Sequence, residues 1–252
     1  MRHVYVGDVG DFGKFGLLRA LLHGSENLKP GVAWYLMDEH EHNNDGKHDS
    51  YLCVGTDNVN SSYRDCDADL YDRLKQIRGG DRLDVSMLED GSVLPESTVY
   101  SKETIPVSGS AFQRSEWHSR SKNLLGNCDV VFVDPDNGIK WQDPAPKAAW
   151  SHKHVYWSEI LDYLDAGRSV LVYHHLNRNG SHEEQVQSGL GTLATYGHPR
   201  WAVRYRRGTS RVFFVIPNPS HQERLNRNLL AFGKNWKNHA DVIQSIRFIE
   251  ST

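Results

Sequence analysis

Cysteine and long apolar runs are both scarce in this sequence of 252 residues. Its three cysteines, Cys53, Cys66 and Cys128, are odd in number and lack metal-ligand spacing, which argues against a disulfide framework and a cysteine-based zinc site. Hydrophobic residues make up 38% of the chain and the mean hydropathy is −0.61, too low for a membrane span. We therefore expect a globular protein that has no membrane partner.

We also expect no secretory signal, because Asp8 interrupts the sequence before an apolar stretch can form. The expected location is therefore cytoplasmic. The length is compatible with one large α/β domain, and no repeat or low-complexity linker divides the chain. We predict a single domain that spans residues 1–252.

The net charge is small, but the charges are unevenly distributed. The chain has 29 Lys and Arg residues against 32 Asp and Glu residues, a formal net charge of −3. Residues 1–145 contain 15 basic and 24 acidic side chains, whereas residues 146–252 contain 14 and 8. Such an asymmetry favours an anionic partner, and in particular nucleic acid.

Short β-branched runs alternate with longer helical patterns, which predicts an α/β fold with a doubly wound, mostly parallel sheet. Strands are predicted at residues 3–7, 32–37, 83–88, 98–103, 129–134, 168–174, 200–206 and 210–216. Helices are predicted at residues 13–23, 65–78, 111–125, 156–166, 181–195 and 220–233. The last two strands flank Gly208, so the sheet should end in a C-terminal antiparallel hairpin.

A glycine-rich segment at residues 7–16 separates the first predicted strand from the first helix. Its spacing is not that of a dinucleotide-binding loop, and its two carboxylates would repel a phosphate. Asp8 and Asp11 better suit general-base catalysis, or stabilisation of a cationic transition state, and are candidate catalytic residues. The alternative is that one of them is an ordinary helix cap. Lys14 is assigned to the nucleic-acid backbone.

The apolar strand predicted at residues 129–134 ends abruptly in Asp134-Pro135-Asp136-Asn137. Open α/β sheets bind ligands in the crevice at the carboxyl ends of their strands. Asp134 is therefore a candidate catalytic residue. Asp136 and Asn137 are candidate base-binding residues, because an amide can both donate and accept hydrogen bonds. The alternative is a plain turn.

Another apolar strand, predicted at residues 168–174, also runs into polar residues. Adjacent side chains on a strand face opposite ways, so one of His174 and His175 should reach the crevice. We assign His174 to catalysis and His175 to base binding, with a structural role as the alternative for one of them. Arg178, a few residues later, suits a phosphate.

Residues 38–49 form a polar stretch rich in Asp, Glu and His. The stretch could hold a divalent metal, but it lacks the fixed pair of ligands on a scaffold that zinc sites use. We interpret it as a solvated loop beside the pocket and predict no metal. Tyr35 and Asp38, at its start, are assigned to base binding.

Basic and aromatic residues are interleaved in the predicted hairpin between residues 200 and 211. Arginines in such an arrangement can neutralise phosphates while the aromatic rings stack on bases. Arg204, Arg206 and Arg207 are therefore candidate ligands of the nucleic-acid backbone. The alternative is an edge strand protected by charge.

The order of these motifs resembles Rossmann-fold adenine-N6 methyltransferases of the ribosomal-RNA type over most of the chain. The family's Gly-Asn-x-x-Asp-x-x-Lys segment would fall on residues 7–14, its Asp-Pro-Pro-Tyr on residues 134–137 and its late aromatic strand on residues 172–174. The terminal hairpin is matched as well. Two departures are evident: the S-adenosylmethionine loop would align with residues 38–42, which contain no glycine, and Pro-Tyr is replaced by Asp136-Asn137.

The strand-end motifs are also similar to those of the uracil-DNA-glycosylase superfamily. There an acidic or Asn-containing motif follows the first strand, an Asn reads the base and a His motif follows a late strand. Those roles would fall on Asp8 and Asp11, on Asn137, and on His174 or His175. The chain further resembles a group of anti-phage glycosylases that excise glucosylated hydroxymethylcytosine from viral DNA.

Both resemblances imply an enzyme that turns a base out of a nucleic acid. Cleavage of an N-glycosidic bond develops positive charge on the sugar, which carboxylates stabilise, whereas methyl transfer needs the unmatched cofactor loop. We therefore expect a DNA glycosylase without a cofactor that acts on modified bases in double-stranded DNA. The alternatives are an S-adenosylmethionine-dependent adenine methyltransferase, a non-catalytic nucleic-acid-binding module, and a metal-dependent nuclease with these ligands: Asp8, Asp11, Asp134 and His174.

Overall fold

The computed structural model describes residues 1–24, 27–37, 48–53, 62–80, 82–90, 92–107, 110–144, 150–196, 200–208 and 210–244. Within these residues the predicted α/β architecture is present, with helices on both faces of a seven-stranded sheet. Asp38, which the sequence assigns to base binding, lies outside the described residues.

The main sheet has the strand order β2-β1-β3-β6-β8-β7-β9. Its strands are β1 (Pro30–Ala33), β2 (Val99–Ser101), β3 (Val130–Val133), β6 (Ser169–His175), β7 (Trp201–Tyr205), β8 (Arg211–Ile216) and β9 (Ala240–Gln244). The first four in that order are parallel, whereas β8 is antiparallel to both β6 and β7, and β9 is antiparallel to β7. A second sheet pairs β4 (Gly138–Lys140) with β5 (His154–Tyr156) in parallel. The carboxyl ends of β1, β3 and β6 therefore meet at one edge.

Two apolar cores lie on opposite faces of the main sheet, as alternation along the strands requires. Phe132 belongs to one core and Val133 to the other. The first core takes apolar residues from α1 (Val9–Leu22), α2 (Ala68–Arg78) and α6 (Gln222–Asn235). The second takes them from α3 (Ala111–Leu124), α4 (Trp157–Asp165) and α5 (His182–Thr195). Helix α1 therefore covers the face of the main sheet that carries the first core.

Two of the predicted strands are wrong. Residues His3–Tyr5 and Val85–Leu88 form short 3₁₀ helices, as do Ser50–Leu52. The first is followed by Gly7, whose φ of 75° turns the chain into α1, and the second begins at Asp84, whose carboxylate accepts a hydrogen bond from the Ser86 amide. Local capping and turn formation thus outweigh the β-branched pattern.

The other predicted elements are present with shifted ends. The helix expected from residue 13 begins at Val9, and the strand expected at residues 32–37 occupies Pro30–Ala33. The terminal hairpin is confirmed, and Gly208 in its turn has a φ of 64°. Sequence reasoning missed β4, β5 and β9, the first two of which have three residues each. Among the described residues, no helix has both the length and the apolar character that a membrane crossing needs.

Candidate active site

Helix α1 begins beside the carboxyl ends of β3 and β6, and this junction brings together most of the predicted catalytic residues. The Nζ atom of Lys14 lies 2.7 Å from Oδ1 of Asp11 and 2.7 Å from Oδ2 of Asp134. Lys14 and Asp134 are 120 residues apart in the sequence. The acidic segment of α1 and the Asp-Pro turn therefore lie side by side in the folded chain.

All three side chains of this junction are buried, with exposed fractions of 6% for Lys14, 2% for Asp11 and 6% for Asp134. Burial, together with the nearby charge of Asp8, raises the pKa of Asp11 to about 6, although Lys14 opposes the shift. Burial also disfavours the Lys14 ammonium, but Asp11 and Asp134 outweigh it and raise the pKa of Lys14. Lys14 is therefore a protonated bridge inside the protein, and its predicted contact with the nucleic-acid backbone is wrong.

Asp8 is the N-cap of α1. Its backbone is extended, and Oδ1 accepts hydrogen bonds from the amides of Gly10, at 2.7 Å, and Asp11, at 2.9 Å. The capping alternative considered for this segment is therefore correct for Asp8. Asp11 Oδ2 in turn accepts a hydrogen bond of 2.8 Å from the Gly7 amide. These bonds fix both carboxylates at the start of the helix.

Arg211, the first residue of β8, reaches into the site from the hairpin. Its side chain is buried and its guanidinium lies against Gly10 in the first turn of α1. Burial opposes its charge, but Tyr173 and Asp8 are close enough to raise the pKa of Arg211 overall. Sequence reasoning placed this residue among the surface arginines, whereas the structure makes it a buried cation next to Asp8.

Tyr173 and His175 project from the same face of β6, toward α1. The hydroxyl of Tyr173 lies 3.3 Å from Nδ1 of His175, and Cζ of Arg211 lies 6.0 Å from the Tyr173 ring centroid. Burial, with a smaller contribution from Asp134, raises the pKa of Tyr173 to about 12. Tyr173 was not predicted, although its two-residue spacing from His175 places both on one strand face.

His174 lies on the opposite face of β6 from the carboxylates of α1. Its Nδ1 accepts a hydrogen bond of 3.0 Å from the Ile139 amide, and its ring packs against Gly138 and Phe214. Burial lowers the pKa of His174 to about 4, so the ring is neutral near pH 7. The structure therefore does not bring His174 together with Asp8, Asp11 and Asp134, and the histidine on the crevice face is His175.

Asn137 lies between β3 and β4, beside the end of β6, with a fixed backbone and an exposed side chain. Its amide donates to the carbonyl of Lys153 at 2.8 Å, and its carbonyl accepts from the His175 amide at 3.2 Å. Within the described part of the chain, the Asn137 side chain forms no hydrogen bond. Asp136, next to it, lies 3.7 Å from Nε of Arg2. The side-chain amide of Asn137 is therefore accessible to solvent.

Tyr35 does not line the crevice. It is buried on the opposite face of the sheet, where its hydroxyl donates to Oε2 of Glu159 at 3.1 Å and its ring packs edge-on against Trp117. Glu159 also forms a buried ion pair of 2.6 Å with Arg114. Tyr35 therefore supports the strand end and presents no surface to a base, contrary to its assignment.

Contacts within the protein engage the three arginines that the sequence assigns to phosphates. Arg204 lies 2.8 Å from Oδ2 of Asp241 on β9, and Arg206 donates to the carbonyl of Lys237 at 2.7 Å. Arg207 donates to Nδ1 of His239 at 2.9 Å. They attach β9 and the segment before it to the hairpin. Arg178 differs from them, because it is exposed in the loop after β6.

No group of three or more His, Cys, Asp or Glu side chains suited to a metal ion occurs among the described residues. No protein-family model matches the sequence, and no curated protein is significantly similar to it. A functional proposal therefore depends on the chemistry of this junction.

Proposed function

We propose that this chain is a DNA glycosylase, which hydrolyses the N-glycosidic bond of a base turned out of DNA into the crevice between α1, β3 and β6. The supporting observation is the buried carboxylate pair, Asp11 and Asp134, each 2.7 Å from Lys14. This pair lies where open α/β sheets bind their ligands. As the resemblance to anti-phage glycosylases implies, the proposed substrate class is a modified pyrimidine in viral DNA.

The reaction adds water across the bond between C1′ and the base nitrogen. The hydroxyl group becomes attached to C1′, the base nitrogen takes the electron pair of the broken bond, and the base gains a proton. Positive charge develops on the sugar, and a nearby carboxylate stabilises it. A pKa of about 6 leaves Asp11 mostly ionised near pH 7, so this carboxylate is suited to accept a proton from the attacking water. Asp134 is proposed to face the sugar.

Three residues at the mouth are proposed to hold the base. The exposed amide of Asn137 can donate to and accept from a base edge while its backbone stays fixed to Lys153 and His175. The Tyr173 ring offers a stacking surface. Burial lowers the pKa of His175, so the ring is neutral and can hydrogen-bond to the departing base.

Base release can be measured on duplexes that contain single modified pyrimidines and on modified phage DNA, with alkali cleavage and chromatography of free base as independent readouts. We expect release by the wild-type protein and a loss of about a hundredfold or more in Asp134→Asn. The matched control is Asp129→Asn. Asp129 lies just before β3, at the opposite end of the same strand, where Oδ2 accepts from the Lys29 amide.

Release of free base that depends on Asp134 but not on Asp129 would support the proposal. A folded wild-type protein that leaves every modified substrate intact would refute it. Equal losses in the two variants would show that the effect of Asp134→Asn is structural.

An adenine methyltransferase is the second candidate, because the structure joins the two motifs on which that resemblance depends. Asp11 and Lys14 of the α1 motif contact Asp134 of the Asp-Pro motif, and the terminal hairpin is present. The described carboxylates could face the sulfonium of S-adenosylmethionine. The nearby cation Lys14, however, is engaged by two carboxylates, so these residues do not fit the carboxylate of the cofactor. Micromolar binding in a calorimetric titration would favour this candidate over the glycosylase.

The contacts of the acidic residues disfavour a metal-dependent nuclease. Asp8 caps α1, Lys14 bridges Asp11 and Asp134, and His174 lies on the other face of β6. Four ligands drawn from these positions would have to give up those bonds before they could converge on an ion.

A further inference from the structure

The small sheet of β4 and β5 carries a cluster of lysines and tryptophans that the proposed chemistry does not use. Lys140 ends β4 and is followed by Trp141, whereas Trp150 and Lys153 precede β5. We refer to these four residues as the Lys-Trp ribbon. Parallel pairing of β4 with β5 places Gly138 opposite His154 and Lys140 opposite Tyr156, so Lys153 lies at the end of the small sheet next to Asn137 and Lys140 lies at the other end.

The Lys-Trp ribbon is directly connected to the candidate active site. The carbonyl of Lys153 accepts the hydrogen bond from the Asn137 amide at 2.8 Å, and β4 begins at the next residue, Gly138. A strand advances about 3.3 Å per residue, so Lys140 lies about 10 Å from Asn137 along β4. The ribbon therefore begins next to Asn137 and runs beside the His174 face of β6.

Both tryptophans of the ribbon are only partly buried. Trp141 packs 5.8 Å from the centroid of Trp157 and 6.0 Å from that of Phe214, and Trp150 packs 4.4 Å from Tyr156. These contacts anchor the rings and leave part of each indole at the surface. A held, partly exposed aromatic ring can stack on a nucleic-acid base at little additional entropic cost.

Two lysines supply the positive charge of the ribbon, Lys140 and Lys153. Lys140 is exposed and forms no ion pair with any residue that the structure describes. Burial is the main reason why the pKa of His154 is lowered to about 4, and Lys140, Arg114, His152 and Lys153 all shift it in the same direction. Lys140 and Lys153 therefore both lie near His154, whereas Arg114 is buried in its ion pair with Glu159 and does not contribute to the surface.

In the described part of the hairpin, the three arginines that were predicted to bind phosphates already have partners. Arg204 is paired with Asp241, and Arg206 and Arg207 donate to the segment before β9. A phosphate that bound there would compete with an existing ion pair, whereas a phosphate near Lys140 would not.

We propose that the Lys-Trp ribbon binds the DNA strand that leads away from the target nucleotide, with lysines on its phosphates and tryptophans stacked on its bases. This inference rests on the proposed function, because the position of the target nucleotide is taken from its proposed contact with Asn137. The combination of cations and aromatic faces selects a nucleic acid over an acidic peptide, which would use the cations alone.

The test uses fluorescence anisotropy of labelled oligonucleotides, single-stranded and double-stranded, with the inactive Asp134→Asn protein so that the DNA stays intact. Lys140→Glu should weaken binding about tenfold at low salt, and Lys140→Ala should make log K less dependent on log[salt] by about 0.7–0.9. Trp150→Ala should weaken binding about fivefold or more. The matched control is Lys234→Glu, an identical charge change at an exposed lysine of α6.

Binding that is lost in the ribbon variants but kept in Lys234→Glu supports the inference. This holds even if no substrate releases a base, because that result contradicts only the glycosylase proposal. Ribbon variants that bind like the control refute the inference, even if the wild-type protein releases base. Absence of DNA binding by the parent protein also refutes it. A greater loss in Arg206→Glu than in Lys140→Glu would place the strand on the hairpin instead.

Discussion

Arg211 occupies the space that a side chain at position 10 would need. An ideal Cβ on Gly10 would lie 1.3 Å from Nη1 of Arg211 and 2.9 Å from Oδ1 of Asp8. A buried guanidinium from β8 can therefore reach the cap of α1 only because the helix has no side chain at this point. The packing of Arg211 against the first turn of α1 therefore requires a glycine at position 10.

The substitution Gly10→Ala should separate this packing requirement from helix propensity. Alanine is favoured over glycine in a helix by about 1 kcal/mol, but here it must displace Arg211 at a cost of about 1–3 kcal/mol, so we expect a net loss of up to about 2 kcal/mol. The control is Gly191→Ala in α5, where an added Cβ meets nothing within 4 Å. That variant should gain about 0.5–1 kcal/mol. Urea unfolding measures both, and stabilisation of both variants would contradict the packing shown here.

Lys14→Met should destabilise the protein in a manner that depends on pH. The variant leaves Asp11 and Asp134 buried without their shared cation, which costs about 3–5 kcal/mol when both are ionised. Protonation relieves the repulsion, so the loss in unfolding free energy should be larger near pH 8 than near pH 5. Arg120→Met, which breaks an exposed pair with Glu103, is the control and should cost less than about 1 kcal/mol at either pH. A loss independent of pH would argue against the bridge.

Two substitutions at Asp8 should distinguish its capping role from its charge. Asn caps helices as well as Asp does, so Asp8→Asn should keep most of the stability, whereas Asp8→Ala should lose about 0.5–2 kcal/mol. Thermal unfolding monitored by circular dichroism gives the comparison. If both variants lose the same amount, the charge beside Arg211 matters more than the cap.

The sequence predicts the positions of the strand ends better than the contacts of the residues that follow them. Asp134 was found because an apolar run stops at Asp-Pro, and the carboxyl edge of a parallel sheet is a general binding position. That Lys14 bridges Asp11 and Asp134 was not foreseen, since local pattern carries no information on a contact across 120 residues. Likewise, Arg204 could not be distinguished from a phosphate ligand, because its partner Asp241 belongs to the unpredicted strand β9.

Other errors could have been avoided from the sequence. Because side chains alternate along β6, Tyr173 and His175 share one face of the strand and His174 lies on the other. Assigning His175 to the crevice therefore also assigns Tyr173 to it, whereas assigning His174 excludes Tyr173. Tyr35 was assigned to the base only because it precedes a polar loop. In the structure the hydroxyl of Tyr35 is hydrogen-bonded to Glu159, which lies 124 residues further along the chain.

The titration of His174 provides a test of which histidine serves the crevice. With a pKa of about 4, the folded protein binds fewer protons at this site than the unfolded chain between about pH 4 and 6.5. His174 therefore adds stability that is complete above about pH 6.5 and is lost as the pH falls toward 4, by at most about 3 kcal/mol.

His154 contributes in the same direction because its pKa is also about 4, whereas Asp11, with a raised pKa, contributes in the opposite direction over an overlapping range. The contribution of His174 must therefore be isolated by subtraction. His174→Asn is the suitable variant, because an Asn Oδ1 can replace Nδ1 as acceptor for the Ile139 amide. The unfolding free energy of the wild type minus that of the variant should rise between about pH 4 and 6.5. An NMR titration of the ring, assigned by its absence in His174→Asn, should give a midpoint well below 6.5. A midpoint near 6.5 would mean that His174 is solvated and available to the crevice after all.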